Sequence, residues 1–427
     1  MRRRVVVTGI GGVTPLGVEV REIWDGLLRG QSGVGPITLF DASRFPVRIA
    51  AEVRNWSMDR VVDDPAPWAR HARQTQFAVA AALQASRAAG LPDAAIDPLR
   101  IGVFLGCGEI FPDFGQFCRL TAAASHGGSL DLERFVGQAR LVARGDDNLI
   151  LEPSAAAGCI AAMLDAQGPH ANFTAACVSS SKAIGEGAEV IRRGDADVML
   201  CGGSHSMIHP FGITGFQRLS TLSTQNDDPE KASRPFENDR DGFVVGEGGA
   251  VLVMEELDHA RKRGVEIWAE ITGWGTAHDA FRITDLEPEG RAAARCMTLA
   301  LADAGLAPED IDYINAHGSG TAINDRVETL ATKRALGNCA YHVPISSTKS
   351  MTGHLTTACG AVEALICIMA LRDNAVPPTI NYETPDPDCD LDYVPNAARQ
   401  LRCRHAMSNN FGFGGQNTSL IFSRLAA

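Results

Sequence analysis

The chain reads as an α/β protein, two observations carry that reading, and a third bears on how the chain is organised. Short apolar runs rich in Val and Ile end in glycine clusters, as buried strands followed by tight turns do. Ala-rich segments with helical spacing lie between them, and this alternation implies sheets covered by helices. Finally, RVVVTGIGGVTP near the start is weakly echoed by EIWAEITGWGTA near residue 266, as either a duplication or any α/β chain would give.

In chain order, RVVVTGIGG supplies the first strand, QFAVAAALQASRAAG a helix and RIGVFLGCG the next strand. HANFTAA then reads as a strand end leading through Cys177 into SSSKAIGEGAEVIRRG, which keeps helical spacing despite two internal glycines. DVMLCGGS and AVLVMEE close the first half. The second half follows with EIWAEITGWG, the helix RAAARCMTLALADAG, the strand DYINAHGSG, the helix AVEALICIMALRD and a last strand, LIF. The halves are assigned to residues 1–257 and 258–427, joined by EELDHARKRG, and no Pro-rich linker separates them.

Composition excludes several classes of function. With 427 residues, 45% of them apolar and 21% charged, the chain can bury a large core. A net charge of -12 argues against a broad nucleic-acid or anionic-membrane surface. Eleven cysteines without a CxxC pair indicate neither a zinc site nor a disulfide framework, and a reducing compartment, the cytoplasm, fits them. MRRRVVVTGIGGV places charge before apolar residues as a signal sequence does, but Thr8 and Gly9 break the run at once. No run approaches the roughly 20 apolar residues of a membrane span.

Four stretches could do chemistry. Cys177, in TAACVSS, falls at a strand-to-helix turn, where free N–H groups and the helix dipole favour a thiolate and can hold an oxyanion. A buried core thiol fits the same stretch. His317 heads a Gly-rich loop after a strand, either delivering a polar side chain to the sheet end or fixing the turn. Its HGSGT lacks the ending of a phosphate loop, and Asp325 could cap the helix that carries Glu328. Lys349 and His354 lie in ISSTKSMTGHLTTACG, poor in other charges; a buried Lys349 needs a carboxylate partner, whereas on a surface loop it needs none. NNFGFGGQN makes a tight turn around Phe411 and Phe413.

Together TAACVSS, NAHGSGT, SSTKSMTGH and NNFGFGGQN, in this order, closely resemble the β-ketoacyl-acyl carrier protein synthases, the condensing enzymes of fatty-acid and polyketide assembly. RPFENDRDGFVVGEG and VVVTGIGGVTPLG are similar to that family too, so the resemblance covers nearly the whole chain. It implies a thiolase-like five-layer αβαβα sandwich of two duplicated halves, usually a homodimer. It also implies that Cys177 accepts an acyl group from a pantetheine thioester, with the N–H groups of Cys177 and Phe411 holding the oxyanion. His317 and His354 would donate through Nε2–H to the enolate left when a malonyl thioester loses carbon dioxide. By the same resemblance Lys349 orients the site through Glu328, Ser319 and Thr321 contact the pantetheine arm, and Phe411 gates entry of the extender. No metal, nicotinamide or flavin is implied; the phosphopantetheine belongs to the acyl carrier protein. That carrier is strongly acidic in the family, so a basic docking face is expected. Arg70, His71 and Arg73 in WARHARQ, with Arg218, are the candidates, and a solvated helix face reads the same way.

Three residues depart from the family pattern. Glu109, in GCGEIFPDFG, stands where the fatty-acid branch has small or apolar residues along the acyl tail; it points away, pairs with a partner, or reads a polar group on the chain. Gly158 replaces a frequent Asn, which alters the pocket floor or a dimer contact, and Arg282 replaces a frequent His. AINDRVETLATKRALG and FDASRFPVRIAAEV resemble type II polyketide ketosynthase subunits as much as fatty-acid elongases. The alternatives are therefore a ketosynthase subunit working with a chain-length partner and a non-elongating acyltransferase. A non-catalytic chain-length subunit would lack Cys177, and a thiolase would place a second Cys where His354 stands.

Overall fold

Ten strands join in one hydrogen-bonded sheet in the computed structural model, which describes residues 2–145 and 147–425. They are β1 (Val5–Val13), β2 (Ile101–Cys107), β3 (His170–Phe173), β4 (Val198–Ser206), β5 (Glu247–Glu256), β6 (Ala269–His278), β7 (Tyr313–Asn315), β8 (Ile345–Ser346), β9 (His405–Gly412) and β10 (Gln416–Ser423). Their spatial order is β8-β7-β9-β10-β6-β1-β5-β4-β2-β3. Read outward from the centre, β1-β5-β4-β2-β3 and β6-β10-β9-β7-β8 are one arrangement used twice. In each, the inner two pairings are antiparallel and the outer two parallel. The seam is a short antiparallel contact of β1 with β6, Val6 opposite Glu270 and Val7 opposite Ala269.

Six helices build the remaining layers: α1 (Arg73–Ala88), α2 (Ala155–Leu164), α3 (Ser179–Arg193), α4 (Arg291–Ala304), α5 (Ala322–Leu336) and α6 (Cys359–Asp373). Helices α3 and α6 pack on each other and touch strands of both halves, so they form the middle layer. Helix α1, with α2, covers β1, β5, β4 and β2 on one outside; α4, backed by α5, covers β6 and β10 on the other. The sequence of α6 shows why it lies in the middle: CGAVEALICIMAL is apolar all round, and every residue from Cys359 to Leu371 is buried.

The echo between the two halves is a packing device. A Cβ added to Gly9 or Gly11 of β1 would collide with the carbonyl oxygens of Ala85 and Ala81 on α1. A Cβ on Gly273 or Gly275 of β6 would collide in the same way with Ala300 and Cys296 on α4. Both strands also slip by one residue at the equivalent place, between Val7 and Gly9 and between Ile271 and Gly273. Helix Leu257–Arg263 connects the two repeats. No helix among the described residues is long and apolar enough to cross a membrane.

Candidate active site

The turn between β3 and α3 carries Cys177, 9% exposed. Ala176, just before it, has φ 49°, a left-handed backbone that costs a residue with a side chain about 1–3 kcal/mol. Strain of this kind persists where packing overdetermines it. The backbone N–H groups of Phe413 and of Cys177 itself face the sulfur. Burial pushes the thiol pKa up to about 11, opposed by the Lys349 ammonium and by these two N–H groups.

Two imidazoles from the other half meet this sulfur. Cys177 Sγ and the nearest ring nitrogens of His317 and His354 all lie within 4.8 Å of one another, and the two rings stand nearly perpendicular at 84°. His317 follows β7, and the side-chain oxygens of Glu328 hold its loop by accepting from the N–H groups of His317 (2.8 Å) and Gly318 (2.7 Å). His354 lies in the segment 347–358 between β8 and α6. The Thr356 N–H donates to His354 Nδ1 at 2.9 Å, so the ring's own proton sits on Nε2. Burial first, and the Lys349 ammonium second, lower both pKa values, His354 to about 3 and His317 well below its ordinary value. Both rings are neutral at pH 7, and each carries one N–H.

Lys349 is 1% exposed, and its partner is Glu363 of α6, not Glu328. The expected pairing with Glu328 is thus corrected: that carboxyl is committed to the His317 loop, and burial pushes its pKa up to about 8. Burial works against the Lys349 charge, but Glu363, Cys359 and the more distant Glu328 together outweigh it, and the ammonium persists. Asn410 Nδ2 donates to the second Glu363 oxygen at 2.6 Å. Glu363 escaped the sequence reading although a signal exists: a lone acid in the all-apolar AVEALICIM demands a cation.

The second N–H group at the sulfur also differs from expectation. Phe411 lies within β9, paired opposite Asn417, 3% exposed and packed in the core 6.0 Å from the His317 ring. The ladder of β9 ends at Gly412, so the next amide, that of Phe413, is free to face Cys177. Phe413 is half-buried and followed by Gly414 at φ 81°, a conformation that favours glycine.

A cavity of about 490 Å³ opens over the three reactive groups. Ser319 and Thr321 line it, their hydroxyls 3.0 Å apart, and Thr321 rather than Asp325 caps α5 by accepting from the Asn324 N–H. Asp325 is buried and accepts from the N–H groups of Phe236 and Gly320. Glu109 lines the cavity as well. Gly158 does not: it lies on the exposed face of α2, where an added Cβ meets nothing within 4 Å, which corrects the pocket-floor expectation. Arg282 is exposed and paired with Asp285 at 3.2 Å, beside the cavity mouth.

Among the docking candidates, Arg73 is corrected. Its guanidinium is bound to Glu247, whose side chain is fully buried, and to the Val53 carbonyl at 3.0 Å. Arg70 and Arg218 are exposed, and His71 is half-buried against Trp68. Arg218 ends the helix Pro210–Arg218, immediately before Leu219 and Ser220 at the cavity mouth.

Residues 2–260 match the family model described as beta-ketoacyl synthase, N-terminal domain, and residues 268–383 match the corresponding C-terminal domain. The chain belongs to the β-ketoacyl synthase family. Over 428 residues it is 44% identical to 3-oxoacyl-[acyl-carrier-protein] synthase 2 of Coxiella burnetii, covering 99% of both chains. Identity to the synthase of the same description from Synechocystis sp. is 42%, over 99% of this chain and 98% of the other. A β-ketoacyl synthase structure from Burkholderia phymatum superposes with a TM-score of 0.87 at 36% identity, over 99% of this chain and all of that one. A ketosynthase solved with a type II polyketide acyl-carrier protein and bound to the hexaketide gives 0.87 at 34% identity, covering 100% of both chains. This β-ketoacyl synthase is therefore a condensing acyltransferase of fatty-acid or polyketide synthesis.

Proposed function

We propose that Cys177 takes an acyl group from an acyl carrier protein and that the group is then extended with malonyl-carrier in a decarboxylative Claisen condensation. The observation that carries this is the meeting of Cys177, His317 and His354 within 4.8 Å, beside two inward-facing N–H groups. In the first half-reaction the Cys177 thiolate attacks the acyl thioester, and the N–H groups of Cys177 and Phe413 receive the oxyanion. The proton given up by Cys177 leaves with the pantetheine thiol. Next, malonyl thioester loses carbon dioxide and its bonding pair becomes an enolate. His354 and His317 donate hydrogen bonds to the enolate oxygen; as neutral rings they do so without protonating the carbanion. The carbanion then attacks the Cys177 acyl carbon, expels the thiolate, and leaves a β-ketoacyl chain on the carrier.

Lys349, held in place by Glu363, supplies a positive charge near the thiolate that Glu363 partly offsets, and Glu328 positions His317. Ser319 and Thr321 contact the pantetheine arm. The gating role that the resemblance gave to Phe411, which is buried within β9, passes to the half-buried Phe413 beside its glycines. These steps call on no metal or organic cofactor. The acidic carrier docks near Arg218 and Arg70.

The assembly in this reading is a homodimer in the cytoplasm. β3 forms one edge of the sheet, and Leu130, Leu132, Leu141, Leu149 and Met163 on the segment before it are exposed, which supports a covered face there. Light scattering at twice the 45.4 kDa chain mass tests the dimer. Eleven unpaired cysteines suit a reducing compartment. A second reading, a polyketide ketosynthase paired with a chain-length subunit, is favoured by one observation, the carboxylate of Glu109 in the cavity.

The test is incubation with acyl-carrier and malonyl-carrier, followed by intact-mass measurement. A protein that acquires no acyl group on Cys177, and whose Cys177→Ala variant turns over normally, would end this reading.

A further inference from the structure

Glu109 and His205 line the same cavity as Cys177, just beyond the end of β2 and within the end of β4. His205 is 2% exposed, its Nδ1 is hydrogen-bonded to the Thr356 hydroxyl, and its Nε2 has no partner. A buried nitrogen left in that state is unfavourable, and a saturated acyl tail cannot relieve it. The neighbouring residue is Gly108, where a Cβ would stand 2.6 Å from Nε2, so only a glycine lets the ring lie this close to the backbone. Burial holds the His205 pKa down to about 4 against the pull of the Glu109 side chain and of its main-chain carbonyl, which lies near the ring without completing a hydrogen bond to Nε2, and the ring is neutral.

A carboxylate that can accept and a neutral imidazole with one open nitrogen therefore face one cavity. A hydroxyl group satisfies both, giving its hydrogen to Glu109 and accepting from His205 Nε2–H. A ketone satisfies only the imidazole, and a methylene neither. The subsite is coupled to the reaction centre through Thr356. That residue is held at φ 50°, a rare conformation for a β-branched side chain, with its hydroxyl on His205 and its N–H on His354.

We infer that the Glu109–His205 end of the cavity is a polar subsite for the acyl chain, and that the acyl donors of this enzyme carry a hydroxyl group there. This rests on Cys177 being the acylated residue. The experiment uses the full chain and acyl-pantetheine donors matched in length, saturated or hydroxylated at successive carbons, and reads Cys177 acylation rates by intact mass. One hydroxyl position is expected to acylate about tenfold or more faster than the saturated donor, the worth of one charge-assisted hydrogen bond. Glu109→Leu, Glu109→Gln and His205→Leu should each bring that ratio within about threefold of unity. If His205→Leu does not fold, the two Glu109 variants decide, because Glu109 is exposed enough to tolerate change. Equal rates for all donors in the unaltered protein, or a preference that survives both Glu109 variants, overturns the subsite while leaving Cys177 acylation intact. Absence of acylation with every donor overturns the Cys177 reading and the subsite with it.

Discussion

Lys349 and Glu363 form an ion pair in which both side chains are almost fully buried, 2% and 3% exposed, and Asn410 satisfies the second oxygen of Glu363. Removing one member strands the other charge in an apolar layer at a cost of about 3–5 kcal/mol. Lys349→Met and Glu363→Leu should each lower the urea midpoint strongly, and the double variant should recover much of the loss. Equal or additive losses in the double variant would show that the pair does not act as a unit.

The same lysine opposes the burial that raises the Cys177 pKa to about 11. In the Lys349→Met protein the pKa rises further, so iodoacetamide labelling of Cys177 at pH 8 slows relative to the unaltered chain. Unchanged labelling at every pH would remove Lys349 from any role at the sulfur.

Glu328 ties stability to pH with a definite sign. Its folded pKa is about 8 against an ordinary 4.5, so between these values the folded chain keeps a proton that the unfolded chain has released. The contribution is complete below pH 4.5 and is lost as pH rises through about 8, with a slope of at most about 1.4 kcal/mol per pH unit. Glu328→Gln should flatten this part of the stability profile. A profile of unchanged slope would mean that the carboxyl is already ionised.

The histidines should separate the two half-reactions. His354→Ala removes a preorganised donor to the enolate, and decarboxylation of malonyl-carrier should fall about 10²–10³-fold while Cys177 acylation changes little. His317→Ala should behave in the same direction. Parallel loss of acylation and decarboxylation would assign the rings to the thiol instead.

Arg218 and Arg73 should part company on charge reversal. Arg218→Glu should raise the KM for acyl-carrier at low salt, with the effect fading at high salt, and leave thermal stability unchanged. Arg73→Glu places a second carboxylate against the buried Glu247, so it should lower the melting temperature. A stable Arg73→Glu protein with weakened carrier binding would reverse the two assignments.

The residues at the site were legible to different depths. Cys177, His317, Lys349 and His354 each sit in a short motif beside a strand end, so local sequence exposes them. Glu363, Phe413, His205 and Thr356 act through partners set by packing. Nothing near Arg73 announces that Glu247, far along the chain, has taken its charge, and nothing in NNFGFGGQN tells which amide lies past the last rung of β9. The strand echo could be read because Gly9, Gly11, Gly273 and Gly275 serve one steric need twice. The seam could not, since only two facing residue pairs define it.

That repetition also places the chemistry. The junction leading from the outer parallel strand into the middle layer occurs twice, as residues 174–178 before α3 and as the longer 347–358 before α6. The compact version holds Cys177, and the extended version carries both Lys349 and His354 across to it. One crossing, used twice, thus brings Cys177 from one half against Lys349 and His354 from the other, and neither crossing alone holds the full set.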